Sequence, residues 1–303
     1  MAQWSEARRP TLARLPGWAW LADGAMGTMV QTAGLPSGEC PESWNVTHPE
    51  RIIDIHRQYL DAGCDIILTN TFGGSRLKLR RFGLGDRVGD FNRAGVRLAR
   101  SAARPEALIA ASIGPTGELP EPYGEVSVET FILVFAEQIA AVAEEGVDLI
   151  WIETMSDLTE ACAAITAAQA TCQLPIITTM TFERSPRGYH TMMGVSPTEA
   201  ARCLLDAGAD CVGANCGLGS DDTVEIIRAM RAAVPDAMLV AKPNAGLPQW
   251  NDGQALYPET PEWMAARVPR LIDAGVRIFG GCCGTTPEHV RAMARAGKTV
   301  VGR

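Results

Sequence analysis

Residues 280–284 read Gly-Gly-Cys-Cys-Gly, and a third cysteine, Cys216, stands in the similar setting Gly213-Ala214-Asn215-Cys216-Gly217. Flanking glycines let the backbone bend so that neighbouring thiolates can face one ion. Three thiolates on a zinc ion would leave its fourth tetrahedral position open for exchange, the arrangement of catalytic rather than structural sites. A substrate sulfur in that position would be held as a thiolate at neutral pH, and so as a nucleophile. The chemistry this predicts is alkyl transfer to a thiol. The opposing reading is that each cysteine packs as a small apolar residue, as free cysteines usually do. No CxxC pair decides between the two. Packing is the reading for Cys64, Cys162, Cys172, Cys203 and Cys211, which fall within predicted helices, strands or their junctions, and Cys40 reads as an ordinary loop thiol.

Two carboxylates belong with this cluster. Asp23 and Glu153 follow predicted strands and could hold the ammonium of an amino-acid substrate, although a helix cap or a salt bridge would place an acidic residue there equally well. Trp44, Tyr123, Trp250 and Tyr257 lie in predicted loops, where an aromatic face could meet a cationic methyl donor or simply pack. Histidine offers no competing metal site, since His48, His56, His190 and His289 are isolated and read as surface or capping residues. Asp54-Ile55-His56 resembles the start of a cobalamin-binding signature, but Tyr59 stands where that signature needs glycine and the segment reads as helix, so the reading is rejected.

These residues need a scaffold that brings distant segments to one place. Short apolar runs at 18–22, 66–69, 108–112, 149–152, 176–179, 211–213, 238–241 and 277–279 predict strands. Helical patterns near 49–62, 88–103, 128–145, 157–171, 197–207, 221–233, 260–274 and 287–296 separate them. Apolar strands alternating with helices imply a parallel sheet covered on its outer face. A weak repeat, Asp61-Ala62-Gly63, Glu145-Gly146, Asp206-Ala207-Gly208 and Asp273-Ala274-Gly275, precedes four of the strands and suits a left-handed helix end. Eight such units favour an α/β fold of a single (β/α)8 barrel, with the active site at the C-terminal ends of the strands. No GxGxxG follows the first strand, which speaks against a dinucleotide-binding sheet. Residues 114–128 and 244–261 read as long loops on the same rim, and 1–303 as one domain with 1–17 an N-terminal extension.

The bulk numbers agree. A chain of 303 residues, 47% of them apolar, suffices for one large core, and a net charge of −8 argues against nucleic acid or an anionic membrane as partner. Nine cysteines, no secretory leader and no run long enough to span a membrane lead to the expectation of a reduced cytoplasm.

Taken together, the segments 23–28, 69–74, 114–117, 213–217 and 280–286 resemble the homocysteine S-methyltransferase family over about residues 19–297. Segments 37–39, 151–156 and 212–217 look most like single-domain bacterial members described as betaine–homocysteine methyltransferases, and the homocysteine domain of cobalamin-dependent methionine synthase is similar too. The resemblance implies a zinc-bearing barrel with Cys216, Cys282 and Cys283 as ligands. It also implies that Asp23, the Gly24 backbone and Glu153 hold the amino-acid part of homocysteine. Asn244, in a Pro-Asn-Ala-Gly motif, matches an asparagine that approaches the zinc in related barrels when substrate is absent. The chain departs from the animal betaine enzymes at Gly73 and Thr154, where they have tyrosines that help form the donor pocket. It also lacks their C-terminal extension, and the folate and cobalamin modules of methionine synthase. The expected activity is methyl transfer to homocysteine from betaine or a related onium compound. Two alternatives stay open: the homocysteine-activating subunit of a divided methionine synthase served by a separate methylcorrinoid protein, and a non-catalytic zinc- or thiol-binding barrel.

Overall fold

The computed structural model describes residues 19–251 and 254–300, so the expected extension at 1–17 lies outside the described residues. Eight parallel strands form one sheet: β1 (Trp20–Leu21), β2 (Ile66–Leu68), β3 (Leu108–Ile113), β4 (Leu149–Met155), β5 (Ile176–Met180), β6 (Cys211–Asn215), β7 (Met238–Lys242) and β8 (Val276–Phe279). Each pairs with its neighbours in chain order, and β8 pairs with β1. The remaining seam, between β1 and β2, is closed by the Ala22–Ile66 bridge and two backbone bonds, Asp23 N–H to the Ile66 carbonyl at 3.0 Å and Asp65 N–H to the Leu21 carbonyl at 2.7 Å. The sheet is therefore a barrel.

The covering helices are α1 (Pro49–Ala62), α2 (Val88–Ala102), α3 (Val128–Ala143), α4 (Leu158–Thr171), α5 (Pro197–Asp206), α6 (Ser220–Ala233), α7 (Val268–Asp273) and α8 (Pro287–Val300). The pattern near 260–274 predicts one helix, whereas the chain forms Pro261–Ala265 and then α7. Pro269 is the cause, because its ring is tolerated in a first turn but not in a helix interior. The loop expected at 244–261 carries a hairpin of Gln249–Asn251 and Gln254–Leu256, and a second hairpin, Glu183–Ser185 with Gly188–His190, follows β5.

Strand side chains alternate with period two. The inward set includes Leu108 and Ala110 of β3, Leu149 and Trp151 of β4, Ile177 of β5, Cys211 of β6 and Val240 of β7. The outward set, such as Ile109, Ile150 and Leu239, packs on the helices. Continuing the inward count one step toward the strand C-termini reaches Ser112, Glu153, Thr179, Gly213 and Lys242, and on β6 a further step reaches Asn215. Apolar layers thus give way to a polar one at the mouth.

The opposite rim is pinned by the repeat. Gly63, Gly146, Gly208 and Gly275 all have positive φ, between 80° and 102°, as the left-handed helix end requires. The aspartate that follows in three repeats then accepts a strand N–H: Asp65 from Leu21 at 3.0 Å, Asp148 from Ile109 at 2.8 Å and Asp210 from Ile176 at 2.8 Å. Each helix return is thereby bonded to the strand beside the one it enters.

Among the described residues no helix is long and apolar enough to cross a membrane. Gly213 tests the barrel wall: a Cβ there would stand 1.9 Å from the Val240 carbonyl oxygen, a backbone atom of the paired strand. Gly213→Ala should destabilise the fold by about 3 kcal/mol or more, the upper range for overpacking, read from the midpoint of urea unfolding.

Candidate metal centre and substrate cavity

Cys216 ends its strand in an unusual way. Its φ is +60°, a left-handed conformation that few non-glycine residues adopt, and Gly217 follows at +70°. The strain is held by backbone bonds, Cys216 N–H to the Lys242 carbonyl at 3.1 Å and Leu218 N–H to the Cys216 carbonyl at 2.7 Å. Across the mouth, Cys282 N–H donates to the Pro243 carbonyl at 2.8 Å, and its own carbonyl accepts the Thr285 hydroxyl at 2.7 Å. Gly281 is required there, since a Cβ would meet Thr285 Oγ1 at 2.4 Å.

The result joins strands six and eight. The Sγ atoms of Cys216, Cys282 and Cys283 all lie within 4.8 Å of one another, with Cys216 and Cys283 at 3.7 Å, and no other such group of metal-ligating residues occurs among the described residues. Crowding makes these poor acids by themselves. The bond with Cys282 pulls the Cys216 thiol down, but the bond with Cys283, burial and the Cys283 charge leave it pushed up to about 12. Bonds with Cys216 and Cys282 act oppositely on Cys283, and burial carries it to about 12 as well. The Cys216 bond, with burial, also raises Cys282. Three thiolates this close need a cation among them. The donor set, all sulfur and half-buried, fits a soft or borderline divalent metal. Beside it the buried Asn244 Oδ1 has no hydrogen-bond partner, while the next residue, Ala245, donates its N–H to the Cys283 carbonyl at 2.9 Å.

Glu153 reaches the cavity from a bulge in β4, where the pairing with β5 shifts register between Ile152 and Met155 and Thr154 has φ +62°. That is a rare conformation for a β-branched residue. Glu153 Oε1 accepts the Ser112 hydroxyl at 2.5 Å and Oε2 accepts the Asn215 amide at 3.4 Å. Burial raises its carboxyl, Lys242 and the Ser112 bond oppose this, and Asp23 adds to it. Asp23 is nearly fully buried; Oδ1 takes Lys242 Nζ at 3.0 Å and Oδ2 takes Leu68 N–H at 2.7 Å. Lys242 lies 5.2 Å from the centroid of the Trp151 ring. Burial works against its charge, but Asp23, Glu153 and Cys282 hold its pKa above the ordinary lysine value.

A cavity of about 220 Å3 brings these groups together, lined by Gly24, Thr28, Glu42, Asn70, Phe72, Ser112, Glu153, Thr154, Lys242 and the three cysteines among others. Of the sequence-derived site residues, Gly24, Glu153 and the cysteines face it, while Asp23 touches it through Lys242. Asn244 stays buried behind the cysteine loop.

Several expectations are corrected. Trp44 is not a loop residue facing a donor but a buried residue of the helix Trp44–Thr47, its ring against His48 and Arg51. Tyr123 and Trp250 are largely exposed, and of the four only Tyr257 is set against the cysteines, with burial and then Cys283 pushing its hydroxyl up to about 12. His56 is neither surface nor cap. It is fully buried in α1 with both ring nitrogens unpartnered, and burial lowers its pKa to about 4. Cys40 is a buried thiol bonded to Glu42 Oε2 at 3.1 Å, not an ordinary loop thiol. Glu42 Oε1 in turn takes Gly73 N–H at 2.6 Å, and a Cβ on Gly73 would stand 2.9 Å from that oxygen. Lys242, Ser112 and Glu42 had no assigned role in the sequence reading. The inward parity of β3 and β7 carried the signal for the first two.

The sequence matches the family model described as homocysteine S-methyltransferase over residues 20–297. It is 31% identical over 297 residues to the methionine synthase of Mycobacterium leprae and 32% identical over 297 residues to that of Mycobacterium tuberculosis, in each case across 91% of this chain and 24% of the relative. The chain thus spans about a quarter of the length of those curated relatives. Its fold resembles the metallated form of the homocysteine methyltransferase MmuM from Escherichia coli, with a TM-score of 0.77 at 23% identity over 96% of this chain and 99% of that one. A methyltransferase from Methanosarcina mazei is more distant, with a TM-score of 0.60 at 13% identity over 97% and 99%.

Two measurements test the charge balance. Lys242→Met strands Asp23 in the interior and should cost about 3–5 kcal/mol in urea unfolding, with much of that restored in Lys242→Met/Asp23→Asn. Glu153, whose folded pKa lies above its unfolded value, withdraws stability as pH rises through that interval. Glu153→Gln should therefore be more stable than the parent in the metal-free protein at neutral pH, and the gain should vanish near pH 4, read by thermal unfolding at both pH values.

Proposed function

The chain belongs to the homocysteine S-methyltransferase family and so is a methyltransferase, and from that premise we propose that it methylates the thiol of homocysteine at a zinc ion held by Cys216, Cys282 and Cys283. The observation that carries this reading is one cavity shared by three converging sulfurs and a buried carboxylate. When bound, zinc would accept the substrate sulfur at its open position and lower the thiol pKa so that a thiolate is present at neutral pH.

The protein's own residues supply position. Glu153 receives the substrate ammonium, because Ser112 occupies Oε1 and only a long 3.4 Å contact from Asn215 meets Oε2. Asp23, already paired with Lys242 and the Leu68 N–H, adds negative charge behind it, and the Gly24 backbone borders the same space. Asn244, buried next to the cysteine loop with its Oδ1 unpartnered, would supply the oxygen that turns toward a bound metal before substrate enters. With both ends of homocysteine held, the thiolate meets the methyl carbon in line. The new C–S bond takes the sulfur electron pair, and the bond from methyl to donor breaks with its pair leaving on the donor. No residue has to move a proton at carbon. Alignment of nucleophile and methyl group is then the main contribution of the cavity.

The donor in this reading is an onium compound, betaine or a relative, whose leaving group is a neutral amine or sulfide. Its wall holds Phe72 and Glu42, with no aromatic ring at 73 or 154. A second reading, transfer from a methylcorrinoid on a separate protein, is favoured by the likeness to methionine synthases of which this chain spans a quarter. A non-catalytic metal-binding barrel fits less well, because a structural zinc is normally closed by a fourth protein ligand.

Cys283→Ala decides the central point. Its zinc content should fall well below stoichiometric and methionine formation should fall to background; full zinc with full activity would refute the assignment. Offering the zinc-loaded parent and homocysteine betaine, S-methylmethionine, dimethylsulfoniopropionate and methylcobalamin in turn separates the donors. Turnover with betaine and no second protein would count against the corrinoid reading.

A further inference from the structure

Asn215 immediately precedes a metal-site cysteine, yet its own side chain is the most connected polar group of the mouth. Its Oδ1 accepts Thr154 N–H at 2.8 Å and the Thr179 hydroxyl at 2.7 Å. Its amide Nδ2 donates to Thr154 Oγ1 at 2.7 Å, with longer contacts to Glu153 Oε2 at 3.4 Å and Cys282 Sγ at 3.7 Å. The residue is 1% exposed. One planar carboxamide therefore touches the carboxylate at one end of the substrate site and a sulfur at the other. It also holds the N–H and the hydroxyl of Thr154, whose left-handed backbone lies beside Glu153 at the β4 bulge.

We propose that Asn215 is a positioning residue that fixes the separation between the sulfur end and the ammonium end of the site, and so makes the site select a thiol amino acid of homocysteine's length over its one-carbon-shorter homologue, cysteine. The inference rests on the reading of the mouth as a homocysteine site. A rigid spacer discriminates where a loose one does not: with both ends anchored, cysteine must give up one anchor or distort the bulge. One methylene more or less in a fitted pocket is worth about 10–200-fold. The bond to Cys282 Sγ matters in the same way, because outer hydrogen bonds orient metal ligands and set their basicity. A side chain that only supported the fold would affect both substrates equally.

The test uses binding rather than turnover. Full-length protein loaded with Co2+ reports thiol ligation through its ligand-field spectrum, so homocysteine and cysteine can be titrated with no methyl donor present. The parent should prefer homocysteine by about tenfold or more. Asn215→Leu keeps the shape and removes every hydrogen bond; it should hold cobalt at the parent stoichiometry while the preference falls toward unity. Thr179→Val loosens Asn215 from outside the cavity and should lower the preference by a smaller factor. An unchanged preference in Asn215→Leu with metal retained overturns the proposal. If Asn215→Leu does not fold, an unchanged preference in Thr179→Val overturns it. A parent spectrum that fails to respond to homocysteine would overturn the functional reading, and this inference with it.

Discussion

The buried pair of Lys242 and Asp23 is the interaction on which the barrel mouth depends. A parallel barrel closes by pointing every second side chain inward, and at the C-terminal end of this one the inward positions are polar. Two carboxylates and three thiols occupy that space, with Lys242 the cation bonded to Asp23. A charge removed from water must be matched nearby or it neutralises. Lys242 accordingly keeps its proton, held by Asp23, Glu153 and Cys282 together. Lys242 is bonded to Asp23, and the Glu153 carboxyl and the three crowded thiols stay reluctant to ionise unless further positive charge joins them.

Geometry is maintained by a different device. Thr154 and Cys216 are the non-glycine residues with positive φ among those described, and they flank the site from adjacent regions of the wall. Strain of this kind persists only where the surroundings over-determine it. Asn215 and the backbone bonds to Lys242 and Leu218 supply that determination. The sulfur donors and the carboxylate are thus placed by stiff elements rather than by free loops.

Much of this was legible in the sequence. Predicted strand ends all fall within three residues of the observed ones, because parallel strands buried on both faces read as continuous apolar runs. The glycine repeat announced the helix returns, and glycines around Cys216 and Cys282–Cys283 announced the convergence of the three sulfurs. What escaped depends on contacts between distant segments. Lys242 looks like an ordinary strand-end lysine until the parity of Val240 is known, and His56 looks solvated until α1 is laid on the barrel. Cys40 and Glu42 sit at the start of the short 3-10 helix Pro41–Ser43, whose burial no local pattern records. Pro269 was visible, yet the apolar periodicity around it outweighed its effect on the helix boundary.

The aspartates of the repeat, Asp65, Asp148 and Asp210, have a further meaning. They secure the strand starts at the rim farthest from the cysteines, using main-chain partners that do not depend on side-chain identity. Closure of the ring is thereby insulated from whatever the catalytic rim contains. The pocket wall around residues 42, 72 and 154 can therefore change without renegotiating the architecture beneath.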